Sequence, residues 1–326
     1  MALNKIKTIG IMTSGGDAPG MNPCIRAIVR TGLANDMNVL GIDGGYEGLI
    51  HGKFRPLGAR DVGGIMQRGG TILQTARSAE FRTPQGQREA IRSMNNAQID
   101  ALVVIGGDGS LNGAVVLSEQ GIPVIGVPGS IDNDIYGTDM CIGVDTALNT
   151  IVDAIDKLRD TASSHNRAFL VETMGRSSGY LALRAGIICG AEMVLIPEIA
   201  TPIEEVSTCV EQAYLRGKTH CIIVVAEGHN PTASEIAHTI ESMDVGFTTR
   251  VTILGHIQRG GKPSAFDRML ATRFGVKAVE FLVAGTTGVM TALDGRDIVP
   301  LPLKTVVSKP PAMPMDYYQM ARILAR

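Results

Sequence analysis

The chain has 326 residues, 44% of them hydrophobic and 39 of them glycine, enough to bury a large core in one large or two ordinary domains. A formal net charge of -2, with no basic run, excludes a surface built to track nucleic-acid phosphates. The longest apolar stretches, such as 185–189 and 221–226, fall far short of the roughly 20 residues that span a bilayer, so a membrane partner is excluded as well.

In chain order, the start at residues 1–7 lacks the apolar core of a signal peptide and runs straight into a short strand-like segment. Buried-strand runs at 9–12, 39–42, 101–105, 124–127, 169–171, 193–196, 221–226 and 252–254 alternate with longer helical patterns. Such alternation predicts an α/β fold, a mostly parallel sheet covered by helices on both faces. The clearest helix is 145–164, where Leu148, Ile151, Val152, Ile155 and Leu158 recur at helical spacing opposite Asp153, Asp156, Lys157 and Arg159. A second, 267–284, ends at Gly285. The proline-rich 300–314 reads as a surface crossing before a short terminal helix from Met315. No repeat or low-complexity linker is present, so composition does not place a domain boundary. Cys24, Cys141, Cys189, Cys209 and Cys221 are an odd count without a CxxC pair, which fits reduced thiols and a cytoplasmic location.

Three of the predicted strands end in loops carrying glycine and aspartate: Gly15-Gly16-Asp17, Gly106-Gly107-Asp108-Gly109-Ser110 and Pro128-Gly129-Ser130-Ile131-Asp132-Asn133-Asp134. Strand ends are where ligands sit in open α/β sheets. Glycine lets backbone amides approach an anion, and a helix opening there adds amides that attract phosphate. A carboxylate in such a loop repels phosphate, so its use is to hold Mg²⁺ or to take a proton. Taken singly, Ile131 to Asp134 reads equally as solvated turn chemistry. Together the three loops read as phosphoryl transfer.

These loops, with Met174-Gly175-Arg176-Ser177-Ser178-Gly179 and Leu254-Gly255-His256-Ile257-Gln258-Arg259-Gly260-Gly261, resemble the bacterial ATP-dependent 6-phosphofructokinases in order and spacing, from about Thr8 to about Gly285. The resemblance implies two three-layer αβα domains with the active site in the cleft between them. Residues 1–143 plus 262–307 would form a larger ATP-binding domain, and 144–261 plus 308–326 a smaller fructose 6-phosphate domain. It implies Asp132 as general base on the sugar 1-hydroxyl, Arg176 as the cation on the transferring phosphoryl group, and Ser130 meeting that group where the family usually has Thr. Asp134 would stand beside them in a role left open. ATP would be held by Gly16, Arg77, Ser78, Gly107, Asp108, Gly109 and Ser110, with Asp108 on Mg²⁺. The sugar phosphate would meet Ser130, Ile131, Asp132, Arg167, Met174, Gly175, Arg176, Glu227, Arg250, His256, Ile257, Gln258 and Arg259. Read alone, His256 is better taken as a buried core histidine and Met174 as core filling rather than a contact; the ligand role for His256 comes from its place in the 256–261 segment after a strand.

The resemblance further implies a homotetramer in which Arg167 and Arg250 reach into a neighbour's site. ADP or phosphoenolpyruvate would act as effector at Arg26, Arg30, Arg159, Gly190, Glu192, Arg216, Lys218 and His220. Lys53, Gly58 and Thr219 depart from the family's usual Arg, Asp and Lys, which alters the charge offered to an effector. A pyrophosphate-dependent enzyme would tend to carry Asp in place of Gly109 and Lys in place of Gly129. A lipid or NAD kinase would leave the 174–179 and 254–261 segments without a purpose, and a non-catalytic nucleotide sensor would have no need of Asp108, Asp132 and Arg176 together.

Overall fold

A computed structural model of the chain describes residues 6–243, 245–311, 313 and 315–325. The first five residues, Pro314 at the end of the proline-rich stretch and the final Arg326 lie outside the described residues. The elements run β1 (Thr8–Ser14), α1 (Met21–Ala34), β2 (Asn38–Ile42), α2 (Gly45–Ile50), β3 (Phe54–Pro56), α3 (Pro84–Asn96), β4 (Ala101–Gly106), α4 (Asp108–Glu119), β5 (Val124–Pro128), α5 (Val144–His165) and β6 (Arg167–Thr173). They continue with α6 (Tyr180–Cys189), β7 (Met193–Leu195), α7 (Ile203–Leu215), β8 (His220–Ala226), α8 (Ala233–Ser242), β9 (Thr248–Ile253), α9 (Ala265–Val283), β10 (Val289–Asp294), β11 (Asp297–Pro302), α10 (Leu303–Ser308) and α11 (Met315–Leu324). No helix among the described residues is long and apolar enough to cross a membrane.

The chain forms two compact units. Unit 1 is Met1–Ser130, Asp134–Thr146 and Arg259–Pro311; unit 2 is Ile131–Asn133, Ala147–Gln258 and Ala312–Arg326. Unit 1 holds a seven-stranded sheet in the order β11-β10-β5-β4-β1-β2-β3, parallel except at its two edges. β1 and β4 at its centre are buried at every position, which is why they read as continuous apolar runs rather than alternating ones. Helices α1 and α9 pack closely because Gly275 brings its backbone to Ala27 and the Cys24 carbonyl, where a Cβ would lie 2.7 Å from each. Unit 2 holds a four-stranded parallel sheet, β7-β8-β6-β9. Leu170, Ile223 and Val225 of that sheet bury against Val206 and Val210 of α7 and Ile236 and Ile240 of α8. The expected fold class, α/β with mostly parallel sheets flanked by helices, is what both units show.

Local signals explain several helix starts. Pro84 opens α3 behind Thr83, whose hydroxyl accepts from Gly86 N at 3.1 Å. Thr232 and Glu235 form a reciprocal capping box at α8. Two expectations need correction. The stretch 300–314 is not a bare surface crossing: Pro300 and Pro302 lie in β11, paired antiparallel with β10, and α10 follows directly. Proline is tolerated there because β11 is an edge strand, with one side of its backbone unpaired. The strand expected at 252–254 begins earlier, at Thr248, and stops before Leu254, because pairing with β6 extends it through residues of mixed polarity.

Candidate active site

In unit 1 the ends of β4 and β5 carry the acidic loops. Gly106 closes β4 with no room for a side chain, since a Cβ would meet the Ser14 carbonyl and lie 2.7 Å from Ser110 Oγ. Asp108 opens α4, and Asn112 one turn on sets its Nδ2 3.2 Å from both Asp108 carboxylate oxygens. Burial, then the negative charge of Asp134, raises the Asp108 carboxyl above its ordinary range, while Asn112 opposes the shift. Two carboxylates that repel each other beside a helix N-terminus suit a divalent cation, whose charge relieves the repulsion. Ser130 Oγ donates to Asp134 Oδ1 at 3.1 Å, which closes the loop around residues 131–133.

Within unit 2, Asp132 is only 3% exposed, and Arg176 Nε lies 3.7 Å from its Oδ2. The solvated-turn reading of this aspartate therefore fails. The loop carrying Arg176 hangs by its backbone amides from distant side chains. Met174 N donates to Gln258 Oε1 at 3.2 Å, Gly175 N and Arg176 N donate to Glu227 Oε1 at 3.2 and 2.7 Å, and Gly179 N donates to Glu198 Oε1 at 2.9 Å. Gln258 is fully buried and also donates to Gly255 O. Burial, then the charge of Glu227, raises the neighbouring Glu172 carboxyl. His256 and Ile257 are exposed, which removes the core reading of the histidine, whereas the Met174 side chain is buried. Arg167 opens β6; Arg250 of β9 donates to Thr249 O at 2.6 Å and stands 3.9 Å from Glu241.

The sequence profile described as Phosphofructokinase matches residues 8–282. The chain belongs to the phosphofructokinase family. It is 51% identical to the ATP-dependent 6-phosphofructokinase of Thermotoga neapolitana over 321 residues, 98% of this chain and all of that protein. The ATP-dependent 6-phosphofructokinase of Natranaerobius thermophilus is likewise 51% identical over 320 residues, with 98% of this chain and all of that protein covered. Among solved structures, phosphofructokinase from Saccharomyces cerevisiae superposes with a TM-score of 0.86 at 40% identity, covering 93% of this chain and 45% of that longer one.

Further residues that the phosphofructokinase resemblance singles out fall in each unit. In unit 1, Gly16 lies against the Arg259 guanidinium, which donates to Asp17 O at 3.4 Å. Arg77 is exposed, and Ser78 Oγ accepts from Phe81 N at 3.2 Å. Sequence reasoning missed Tyr46, whose ring stacks on Phe81 with centroids 4.0 Å apart and whose hydroxyl donates to Ser110 O at 2.7 Å. That contact spans 64 positions and leaves no local signal. Asn112 could have been found, because it stands four residues from Asp108 on one helix. Beside Ser78, Glu47, His51 and Glu80 bring one donor atom each within 4.8 Å of one another and could hold a metal ion. A hydrogen bond from Ser78, then His51, holds the Glu47 carboxyl below its ordinary range.

Of the residues expected at an effector site, Arg26 and Arg30 lie on α1 of unit 1 and the rest in unit 2. Glu192 is tied to Lys218 Nζ at 2.9 Å and to Ile222 N at 2.7 Å, and Arg159 donates to Cys189 O. Burial lowers the His220 imidazole; the charge of Glu192 opposes that, and Arg159 and Lys218 add to it. Gly190 adopts φ 60° at the end of α6. A cavity of about 250 Å³ lies between α7 and α11, with Glu192, Cys209, Arg216, Tyr318, Ala321 and Ala325 in its walls. The five cysteines are free thiols; burial pushes Cys189 and Cys209 each up to about 11.

Proposed function

We propose that the chain transfers the γ-phosphoryl group of MgATP to the 1-hydroxyl of D-fructose 6-phosphate, giving fructose 1,6-bisphosphate and ADP. The end-to-end identity of 51% with ATP-dependent 6-phosphofructokinases, with Asp108, Asp132 and Arg176 all in place, carries this reading. Asp132 takes the proton of the 1-hydroxyl as its oxygen bonds to phosphorus and the bond from phosphorus to the β-γ bridging oxygen breaks. A hydroxyl is a poor nucleophile until its proton has somewhere to go, and a placed base is worth roughly 10²- to 10⁴-fold. Arg176 offers a fork of N–H donors to the charge that gathers on the equatorial oxygens. Ser130 donates to the same group, and Asp134 supports Ser130 through its carboxylate.

Asp108, supported by Asn112, is the residue that would hold Mg²⁺. The ion neutralises charge on the β- and γ-phosphates when bound. Residues 1–143 plus 262–307 serve the nucleotide, through Gly16, Arg77, Ser78 and Gly107 to Ser110, and the N-terminal amides of α4 favour phosphate. Residues 144–261 plus 308–326 serve the sugar phosphate, through Arg167, Glu227, Arg250, His256 and their neighbours. ADP and phosphoenolpyruvate as effectors, a homotetramer and a cytoplasmic location complete the proposal.

The donor is ATP rather than pyrophosphate. A side chain at Gly109 would project into open space beside Asp108, where adenosine and the α-phosphate need room. Gly129 is closely packed, since a Cβ there would lie 3.2 Å from Met21 Cε, and it carries no lysine charge that would draw pyrophosphate. Initial rates with fructose 6-phosphate and either ATP or pyrophosphate, in one coupled assay with and without ADP and phosphoenolpyruvate, test this. Turnover with ATP is expected to exceed that with pyrophosphate by at least about tenfold, and the reverse order would overturn the reading. A fructose 6-phosphate saturation curve unmoved by either effector would remove the regulatory part alone.

A further inference from the structure

We propose that Gly228, acting with Glu227, is a positioning residue for phosphoryl transfer: the pair holds the Arg176 peptide in a left-handed turn that aims the guanidinium at Asp132. The inference rests on the role proposed for Arg176.

Arg176 has φ 52°, a conformation that a side-chain-bearing residue adopts only when its surroundings impose it. One neighbour holds it and another makes room for it. On the amide side, Glu227 Oε1 accepts from both Gly175 N and Arg176 N, at 3.2 and 2.7 Å. On the carbonyl side, the Arg176 oxygen sits where a Cβ on residue 228 would be, and Pro197 Cβ stands 3.5 Å from the same point. Gly228 is not among the residues with positive φ, so it is required for clearance rather than for its own backbone freedom.

The platform is fixed independently of Arg176. Glu227 N donates to Thr173 O at 2.8 Å, His229 N donates to Ala226 O at 2.9 Å, and the buried His229 ring sets Nδ1 2.8 Å from Pro231 O. A fixed segment thus holds the Arg176 amide through Glu227 and leaves room for the Arg176 carbonyl at Gly228. The expected part of Glu227 in sugar binding is compatible with this grip, because the grip uses Oε1 and leaves Oε2. Gly228 has no side chain with which to touch a substrate, so a change there reports on position alone.

The test compares Gly228→Ala, Arg176→Ala and the double variant in full-length protein, by steady-state kinetics with MgATP and fructose 6-phosphate. Displacement of a catalytic group by about 1 Å costs on the order of 100-fold. Gly228→Ala is therefore expected to lower kcat by about 10- to 100-fold with less than about a threefold change in KM for fructose 6-phosphate, and to have no further effect in the Arg176→Ala background. A Gly228→Ala kcat within about twofold of the parent, or a full-sized loss persisting without Arg176, overturns the positioning role. An Arg176→Ala variant of near-normal kcat overturns instead the role given to Arg176, so the two failures are distinguishable. Should Gly228→Ala not fold, Glu227→Gln against Glu227→Ala decides. The amide oxygen still accepts, so Gln is expected to retain at least about tenfold more kcat than Ala, and only while Arg176 is present; equal losses overturn the proposal.

Discussion

The acidic loops of unit 1 and the arginine loop of unit 2 are built by different means. In unit 1 the side chains that hold the acidic carboxylates are near in sequence: Asn112 holds Asp108 from four residues away, and Ser130 closes on Asp134 at the same spacing. In unit 2 the loop at 174–179 is supported by Gln258, Glu227 and Glu198, which lie 84, 51 and 19 positions from the amides they accept. Short-range support is encoded wherever its motif is written. Long-range support exists only after the sheet has brought β6, β8 and the turn after β9 together.

The largest expected effect comes from Asp132, which belongs to unit 2 yet is enclosed in sequence by the unit 1 residues Ser130 and Asp134. Asp132→Asn keeps the shape and removes the base, so kcat is expected to fall by roughly 10²- to 10⁴-fold with folding unchanged. Near-normal turnover of the purified variant would take the proton-transfer role away from this residue. Next is Asp108→Asn, which tests whether the short-range site of unit 1 is a cation site. The apparent Mg²⁺ requirement, titrated at fixed ATP, is expected to rise by about 10- to 100-fold, and an unchanged titration would reduce Asp108 to a helix-start residue.

The third prediction asks whether unit 1 also relies on long-range clamps. Asp267, on α9, accepts from Gly143 N, Thr146 N and Thr146 Oγ1 at 2.9, 2.8 and 2.6 Å, closing the start of α5 from more than 120 positions away. Burial, opposed by these hydrogen bonds, pushes its carboxyl from 3.8 to about 6. The folded value lies above the unfolded one, so the contribution is full below about pH 4 and is lost as pH rises through about 6. The Tm advantage of the parent over Asp267→Asn is therefore expected to shrink by a few degrees between pH 4 and 7. A flat gap would show a carboxyl of ordinary proton affinity, and a widening one a carboxyl held ionised by its hydrogen bonds; either result overturns the upward shift.

Much of the fold was legible because buried parallel strands are contiguous apolar runs, and helices such as α5 carry their period openly. The hairpin of β10 and β11 was not, because prolines at 300 and 302 mask an edge strand whose pairing needs only one side of its backbone. The acidic site residues were visible as motifs, whereas Tyr46, Glu198 and the clearance at Gly228 were not. Each of those acts on a residue far away in the chain, and a lone tyrosine, glutamate or glycine carries no pattern.

Sequence alone determined the family: glycine and aspartate at successive strand ends stand in an order and spacing shared with the phosphofructokinases, and the proposed phosphate, cation and base roles follow from that. Tertiary structure decided which of those groups is held, and how. Asp132 is buried beside Arg176, and the left-handed Arg176 donates its amide to Glu227 while Gly228 leaves room for its carbonyl, because backbone amides left unpaired in a loop must find acceptors. Only the folded sheet brings such acceptors within reach.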